Sequence, residues 1–371
     1  MFLLEQSWFF MSFIYRSFGI YPCQRIGEEE LKPTSGCRFW FQYIITSTLV
    51  MLIYVGSIVY ATCFEDYVLA EIGITVYDVI SLGATFVVQF GLHVKCLSMM
   101  RHFAKRFSDL QHFVNDMITV KPKDMTVNRW KFYRYVLPNS ICVTTFFVLN
   151  FVGWNYSLKS KLNLSNLETN LITIAFIILN IFISTPLFYL MTIYIEITMK
   201  LTLNCKFIIK RSSPTILDEA KIFIIILKEF ASMFSSLLLW IISLNFIFTI
   251  IVGFLIYVKG TKTFSSVDLY WYNYCPIIAM VFLMAYMICV FYTFCSLSED
   301  IANNVQNLKL QISKRGYQQE KVDHLLRELD DFKGFDAEGY FTVNHSLLTG
   351  MTTNFATFLV ILIQFKQAET P

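Results

Sequence analysis

Long apolar runs dominate the pattern of this chain, and they predict membrane-spanning helices. A span needs about 20 mostly apolar residues to cross roughly 30 Å of hydrocarbon. Six runs satisfy this requirement, and a seventh is polar at its start but strongly apolar towards its end. We therefore predict an all-α integral membrane protein with seven transmembrane helices. The predicted spans are residues 39–63, 68–94, 136–156, 170–197, 232–258, 274–297 and 340–365.

The basic residues between the spans predict their orientation, because cytoplasmic loops are enriched in Lys and Arg. With the N-terminus inside, 25 of the 30 Lys and Arg residues fall in inner segments and 5 in outer segments. This bias predicts a cytoplasmic N-terminus and an extracellular C-terminus, the inverse of a G-protein-coupled receptor. The inner segments are residues 1–38, 95–135, 198–231 and 298–339, and the outer ones are 64–67, 157–169, 259–273 and 366–371.

Some inner segments carry a helical pattern of their own. Between 301 and 332, apolar residues recur at spacings of three and four with a break at Gly316, which is typical of an amphipathic helical hairpin. Residues 198–231 show a similar extension that restarts after Pro214. Two interpretations stay open: ordinary cytoplasmic loops, or a helical anchor where subunits meet. The first 22 residues predict an interfacial helix rather than a signal peptide, because Glu5 interrupts them and no cleavage site follows.

Composition excludes a water-soluble domain, since only 15% of residues are charged and 56% are hydrophobic. Soluble domains carry about 25% charged residues. The nine cysteines form no metal-binding spacing, and only Cys63 and Cys275 lie near outer span ends as a candidate disulfide. No catalytic motif, paired histidine spacing or phosphate-binding loop is present. We therefore expect no enzyme activity, no cofactor, no metal and no nucleic-acid partner.

Polar groups inside the spans are the candidates for ligand binding. Asp78 is the deepest ionisable residue, and an intramembrane carboxylate indicates either a functional group or a hydrogen-bonded packing residue. Glu196 is expected to reach water at the cytoplasmic end of its span, and His345 is interpreted as a packing residue. The aromatic and amide groups at similar depth are either interfacial belt residues or part of a pocket. The pocket candidates are Tyr77, Asp78, Trp154, Asn180, Asn245 and Tyr274.

Glycosylation acceptor motifs support the same orientation. Asn155 and Asn163 both stand two residues before a serine, at or in the outer connection 157–169. Asn163 is the better candidate, because Asn155 lies close to the predicted membrane surface. A third match at Asn344 falls inside the predicted seventh span and is interpreted as a chance occurrence.

The C-terminal stretch Thr357-Phe358-LVILI-Gln364-Phe365 is the most specific part of the sequence. It is a short apolar segment with one amide near its outer end, and a lone Gln in lipid prefers a partner or water. The stretch resembles the C-terminal motif of arthropod gustatory receptors, Thr-Tyr, five apolar residues, then Gln-Phe, with Phe358 in place of the usual Tyr. Chain length, seven spans, inverted orientation and a short outer tail resemble that family more loosely.

This resemblance implies a ligand-gated, nonselective cation channel in the plasma membrane of a chemosensory neuron. It implies a homo- or heterotetramer with other gustatory receptor subunits, in which the seventh helices line a central pore with Ile361, Gln364 and Phe365 at the gate. A small-molecule tastant is the expected ligand and membrane lipid the surrounding medium. The Phe-rich outer halves favour a bitter compound or a contact pheromone over a sugar. The alternatives are a metabotropic seven-helix receptor and, third, a transporter.

Overall fold

The computed structural model describes residues 23–26, 30–33, 129–162, 191–210, 216–265, 274–314 and 319–368, with a few single positions between them. The chain divides into two compact units. One comprises residues 1–109 and 154–190, and the other comprises 110–153 and 191–371. Of the predicted spans, the first two lie outside the continuously described ranges and the fourth lies partly outside.

Helices make up most of the described chain, in agreement with the predicted fold class. They are α1 (Arg129–Leu162), α2 (residues 191–210), α3 (Ile216–Ser265), α4 (Cys275–Lys314), α5 (Gln319–Asp331) and α6 (His345–Ala368). Within the described residues, three helices are long and apolar enough to cross a membrane: Ile216–Val258, Ile277–Lys314 and His345–Ala368. They overlap the predicted fifth, sixth and seventh spans. The protein is thus a multi-pass membrane protein.

The first unit contains a short antiparallel hairpin that hydropathy did not predict. Strand β1 (Cys23–Ile26) pairs with β2 (Glu30–Pro33), with Cys23 opposite Pro33 and Ile26 opposite Glu30. Four-residue strands lie below the length at which alternation gives a clear signal. The interfacial helix predicted for residues 1–22 lies outside the described residues.

The core of the second unit lies where α2, the first turns of α3 and the second half of α4 pack together. Residues 191–200 of α2 are all buried, and Tyr194 packs against Phe230, Phe234, Phe294 and Phe335 with ring centroids 4.8–5.7 Å apart. Aromatic pairs at such distances add to the free energy gained from burying their area. Tyr194, Phe234 and Phe294 lie within four residues of one end of the predicted fourth, fifth and sixth spans, whereas Phe230 and Phe335 lie beyond the span ends. The core therefore begins at these span ends and forms a base for those helices.

The amphipathic pair predicted between 301 and 332 is present as the second half of α4 and α5. The spacing of its apolar positions decides which side chains are buried. Ile301, Val305, Leu308, Ile312, Val322, Leu325, Leu329 and Phe332 are 0–7% exposed. Lys309 on α4 pairs with Asp330, close to the C-terminal end of α5.

A tight loop, residues 332–344, leads from α5 into α6. Gly334 has φ +122°, a conformation that only glycine adopts readily. A β-carbon there would also lie 3.0 Å from Oγ of Ser298. The same Ser298 Oγ accepts a hydrogen bond from the N–H of Phe335 at 2.9 Å, and Ser235 Oγ donates to Asp336 at 3.0 Å. The loop is thereby attached to both α4 and α3, and α6 starts at His345 rather than at the predicted residue 340.

Candidate functional site

Helix α6 packs against α3 and α4, yet none of its residues is buried within the subunit. Its contact with α3 centres on Gly253, where a β-carbon would meet Phe355 at 3.0 Å and Leu359 at 3.6 Å. Further along, the rings of Phe246 and Phe358 meet edge to face with centroids 6.3 Å apart. Helix α6 thus touches α3 and α4 along part of its surface, and the remaining surface of this apolar 24-residue helix is uncovered.

Two of the predicted gate residues lie on the side of α6 opposite its contact with Gly253 of α3. An α-helix has 3.6 residues per turn, so Ile361 and Gln364 lie opposite Phe355 and Leu359, and Phe365 lies to one side, next to Ile361. Their exposure agrees: Ile361 is 40% exposed, Phe365 is 67% exposed and Gln364 is also exposed. No hydrogen bond joins the Gln364 amide to another described residue.

Polar groups elsewhere on α6 are satisfied by the helix itself. The hydroxyls of Thr349, Thr352, Thr353 and Thr357 each donate to the carbonyl four residues earlier, at 2.8–3.1 Å. Such bonds let threonine lie in an apolar environment without a second helix. The motif residue Thr357 therefore needs no partner, which leaves Gln364 as the polar group of the motif that does.

The first turn of α6 is fixed by two side-chain contacts. Asn344 caps the helix, since its Oδ1 accepts a hydrogen bond from the N–H of Leu347 at 2.9 Å. Nε2 of His345 lies 3.4 Å from a carboxylate oxygen of Glu299 on α4, and the His345 ring lies 5.5 Å from that of Tyr292. His345 is accordingly a packing residue between α4 and α6, as the sequence indicated.

The structure describes two of the six candidate ligand residues with their side chains. Nδ2 of Asn245 donates to the backbone carbonyl of Met287 at 2.9 Å, so this amide connects α3 to α4. Tyr274 is partly exposed immediately before α4. Trp154 lies on α1, without a described side chain. Tyr77, Asp78 and Asn180 lie outside the described residues, and the pocket stays a prediction.

The remaining predictions on modification also fall at the edges of the described chain. The backbone of Asn155 is helical within α1, and Asn163 lies outside the described residues. Cys275 is buried at the start of α4, whereas its predicted partner Cys63 lies outside the described residues. Asn344 caps α6, and its position within the predicted seventh span stays a prediction.

The prediction that Glu196 reaches water is wrong. Its side chain is 1% exposed, and its carboxylate lies 2.6 Å from Nζ of Lys200, one helical turn further along α2. The error arises because hydropathy places a residue relative to the membrane but not relative to the protein core. Here the end of the predicted span is itself part of the buried base, since residues 191–200 are all buried, so Glu196 is shielded by protein.

Two polar cavities at this base were not predicted from the sequence. The first, of about 300 Å³, lies between α4, the loop 332–344 and the start of α6. It is lined by Glu299, Ala302, Asn303, Gln306, Phe332, Lys333, Asn344, His345 and Ser346. The second, of about 330 Å³, lies between α2 and α4. Both consist of residues far apart in sequence, and helical periodicity does not identify such pairings.

Comparison with known proteins agrees with the resemblance of the C-terminal motif. Residues 225–369 match the family model of the 7tm chemosensory receptors. No curated protein sequence matches the chain. The fold is similar to that of the insect olfactory receptor OR5 from Machilis hrabei, with a TM-score of 0.63, 13% identity and 98% of both chains covered. Its complex with eugenol gives a TM-score of 0.62, 12% identity and the same coverage.

The family match covers α6, most of α3 and all of α4 and α5, which include the helix that carries the predicted gate residues and the two helices against which it packs. Combined with the motif at Thr357–Phe365, it confirms the predicted resemblance. Residues 225–369 are thus similar to the chemosensory receptor family, and the fold is similar to that of an insect olfactory receptor. This family is one of membrane receptors and not of enzymes.

Proposed function

We propose that this chain is a subunit of a gustatory receptor that acts as a ligand-gated, nonselective cation channel in the plasma membrane of chemosensory neurons. The observation that carries the proposal is the uncovered α6. An apolar 24-residue helix with no buried residue needs partners outside its own subunit. Four copies around a common axis would cover the face opposite α3 and bring Ile361, Gln364 and Phe365 together.

The chemistry of that face supports a pore rather than a lipid contact. A lone amide in hydrocarbon lacks a hydrogen-bond partner, which is unfavourable. In a symmetric assembly the four Gln364 amides would instead meet water and passing ions. Phe365 and Ile361 would form apolar constrictions, which stay closed by dewetting. Neutral amides carry no net charge, so discrimination among monovalent cations should be weak.

We further propose that the ligand is a small, mainly apolar molecule bound in the outer half of each subunit. The complex of the Machilis hrabei receptor with eugenol supports a small-molecule ligand in this fold. The choice of a bitter compound or contact pheromone rests on the Phe-rich outer spans. Binding would favour the state in which the α6 helices separate, since a ligand shifts a conformational equilibrium only through its different affinity for the two states.

The proposal is tested by the ion selectivity of Gln364→Glu. Four carboxylates at close quarters should increase permeation or block by divalent cations in agonist-evoked whole-cell currents. Gln367→Glu is the matched control, because the Gln367 amide donates to Tyr257 on α3 at 3.2 Å instead of lying on the uncovered face. Equal selectivity in the wild type and in well-expressed Gln364→Glu would mean that the pore does not pass this residue.

The metabotropic alternative is separated from the channel by reconstitution. Purified protein in planar bilayers should conduct when an agonist is added, with no G protein present. A receptor that responds in cells but never conducts after purification, despite normal assembly, would support the metabotropic reading instead.

A further inference from the structure

The second cavity is a basic pocket that the channel function does not use. It is formed by α2 and α4, which are joined nearby by a hydrogen bond from Sγ of Cys205 to the carbonyl of Asn304, at 3.2 Å. From that contact the two helices run on to Lys210 and Lys314. The pocket, of about 330 Å³, is lined by Lys206, Ile209, Lys210, Asn304, Asn307, Leu310, Gln311 and Lys314.

Among the residues that the structure describes, its polar lining consists of ammonium and amide groups without a carboxylate. The lysines of this pocket thereby differ from other lysines of the helical base that lie next to carboxylates. Lys200 pairs with Glu196, Lys228 with Glu328 and Lys309 with Asp330. Across the part of the chain described by the structure, no ion pair joins Lys206, Lys210 or Lys314 to a carboxylate. Three lysines at one cavity repel each other, and a bound anion would relieve that repulsion.

We propose that this pocket binds a soluble, multiply phosphorylated anion, such as an inositol polyphosphate or a nucleoside triphosphate, on the cytoplasmic side of the receptor. Lysine supplies point charges that attract phosphate. The amides of Asn307 and Gln311 stand on the same face of α4 and can donate further hydrogen bonds to phosphate oxygens. A volume of about 330 Å³ lies within the range of pockets that hold small ligands, roughly 300–1,000 Å³.

The distance between the pocket and the membrane indicates whether the phosphate belongs to a soluble molecule or to a lipid headgroup. The cytoplasmic side rests on the orientation predicted from the basic residues, and the distance rests on the predicted span ends. At 1.5 Å per residue, Lys210 lies about 20 Å and Lys314 about 25 Å beyond the predicted ends of their spans, at 197 and 297. Electrostatic attraction to a lipid surface decays within about 8 Å at physiological ionic strength. A soluble anion therefore fits the pocket better than a phosphoinositide headgroup does.

A simpler explanation is that these lysines only complement the negative ends of two helix dipoles. That role requires one lysine near each helix end, and it predicts no saturable binding. It also gives no reason for Lys206 to line the same cavity as Lys314, on another helix. The two explanations differ in one expectation. Only a binding site predicts that stabilisation depends on the number of phosphate groups of the anion at constant ionic strength.

The test is thermal unfolding of the purified full-length receptor in detergent, with millimolar inositol hexakisphosphate, adenosine triphosphate or sulfate at matched ionic strength. We expect a saturable rise of about 2–4 °C with the polyphosphates and none with sulfate. The variant Lys210→Gln/Lys314→Gln should lose this rise. Lys221→Gln/Lys333→Gln removes the same charge from exposed lysines elsewhere in the base and should retain it.

Three outcomes would overturn the proposal: no shift with either polyphosphate, an equal shift in both double variants, or a shift with sulfate of the same size. A second arm places the receptor in nanodiscs with or without phosphatidylinositol bisphosphate. Stabilisation by the lipid alone would show that the soluble source is wrong. Because the readout is stability and not current, failure of the channel proposal and failure of this one are separable.

Discussion

The ring of Phe355 on α6 packs directly on Gly253 of α3, so closely that a β-carbon at 253 would lie 3.0 Å from Cζ of the ring. This contact sets the distance between the candidate pore helix and its support. It also fixes the rotation of α6, and with it the direction in which Gln364 and Phe365 point. Glycine at this position therefore serves close helix approach rather than backbone flexibility.

Gly253→Ala should hinder channel opening. The added methyl group displaces the Phe355 ring and moves α6 away from α3, towards the axis around which the four α6 helices would assemble. Overpacking costs about 1–3 kcal/mol, and the lower end applies here because a ring tip can yield. About 1 kcal/mol corresponds to a roughly fivefold increase in the agonist concentration for half-maximal current.

Gly260→Ala is the control for this measurement, since it lies in the same helix with nothing within 4 Å of the added β-carbon. Its dose–response curve should match that of the wild type, because alanine only raises helix propensity there. Identical curves for all three channels at equal surface expression would show that the approach of α6 to α3 does not limit gating.

The buried pair of Glu196 and Lys200 should be essential to the stability of the base. Lys200→Met removes the ammonium group that lies 2.6 Å from the Glu196 carboxylate, which is 1% exposed. Breaking such a buried pair costs about 3–5 kcal/mol. We expect a markedly lower midpoint in thermal unfolding of the detergent-solubilised receptor, monitored by size-exclusion chromatography of a fluorescent fusion.

Lys228→Met provides the comparison, because Lys228 is 47% exposed where it meets Glu328. Pairs at the surface contribute about 0–1 kcal/mol, so its midpoint should stay close to that of the wild type. If both variants melt alike, the Glu196 site tolerates an unpaired carboxylate, and burial in the base is less complete than the side-chain exposure indicates.

How far the sequence predicted this molecule depends on whether a feature is periodic or depends on pairing. The spacing of apolar residues by three and four positions, as at Ile301, Val305 and Leu308, predicted both the helix and its buried side. It could do so because the buried face of a helix is determined by residues that are close together in the sequence. The C-terminal motif identified the family for the same reason, since all its residues lie within three turns of α6.

Features that join distant segments were missed. Tyr194, two residues before Glu196 on the same buried helix, packs on aromatic residues of α3, α4 and the loop 332–344, so the burial of this helix depends on segments distant in sequence. The basic pocket likewise depends on Lys210 and Lys314 lining one cavity from two helices. Neither pairing can be detected from hydropathy or from the spacing of residues along the chain. The sequence does contain a signal for the start of α6, because Asn is a preferred N-cap residue. At Asn344 the same residue also matches a glycosylation motif.

Glycosylation should occur on Asn163. Passage of the outer connection 157–169 through the secretory pathway exposes its acceptor motif, and treatment with an N-glycosidase should then increase electrophoretic mobility. Asn163→Gln should abolish most of this change. Asn344→Gln should leave it intact, because Oδ1 of Asn344 already accepts a hydrogen bond from the N–H of Leu347. A wild-type protein without any glycan, whose 157–169 connection is protected from external protease, would contradict the orientation.

The closing prediction concerns Phe365, whose side chain is 67% exposed on α6, one turn after Ile361. Four such rings around an axis form a narrow apolar constriction, and water leaves a constriction of this kind without any physical plug. Phe365→Ala widens and wets it, so current in the absence of agonist should rise several-fold in whole-cell recordings. Phe358→Ala removes the same ring from the same helix, but there the ring packs on Phe246 of α3. It should alter expression or agonist potency while leaving the resting current low. Resting currents that are equally low in both well-expressed variants would mean that α6 contacts lipid along this face and that the ions pass elsewhere.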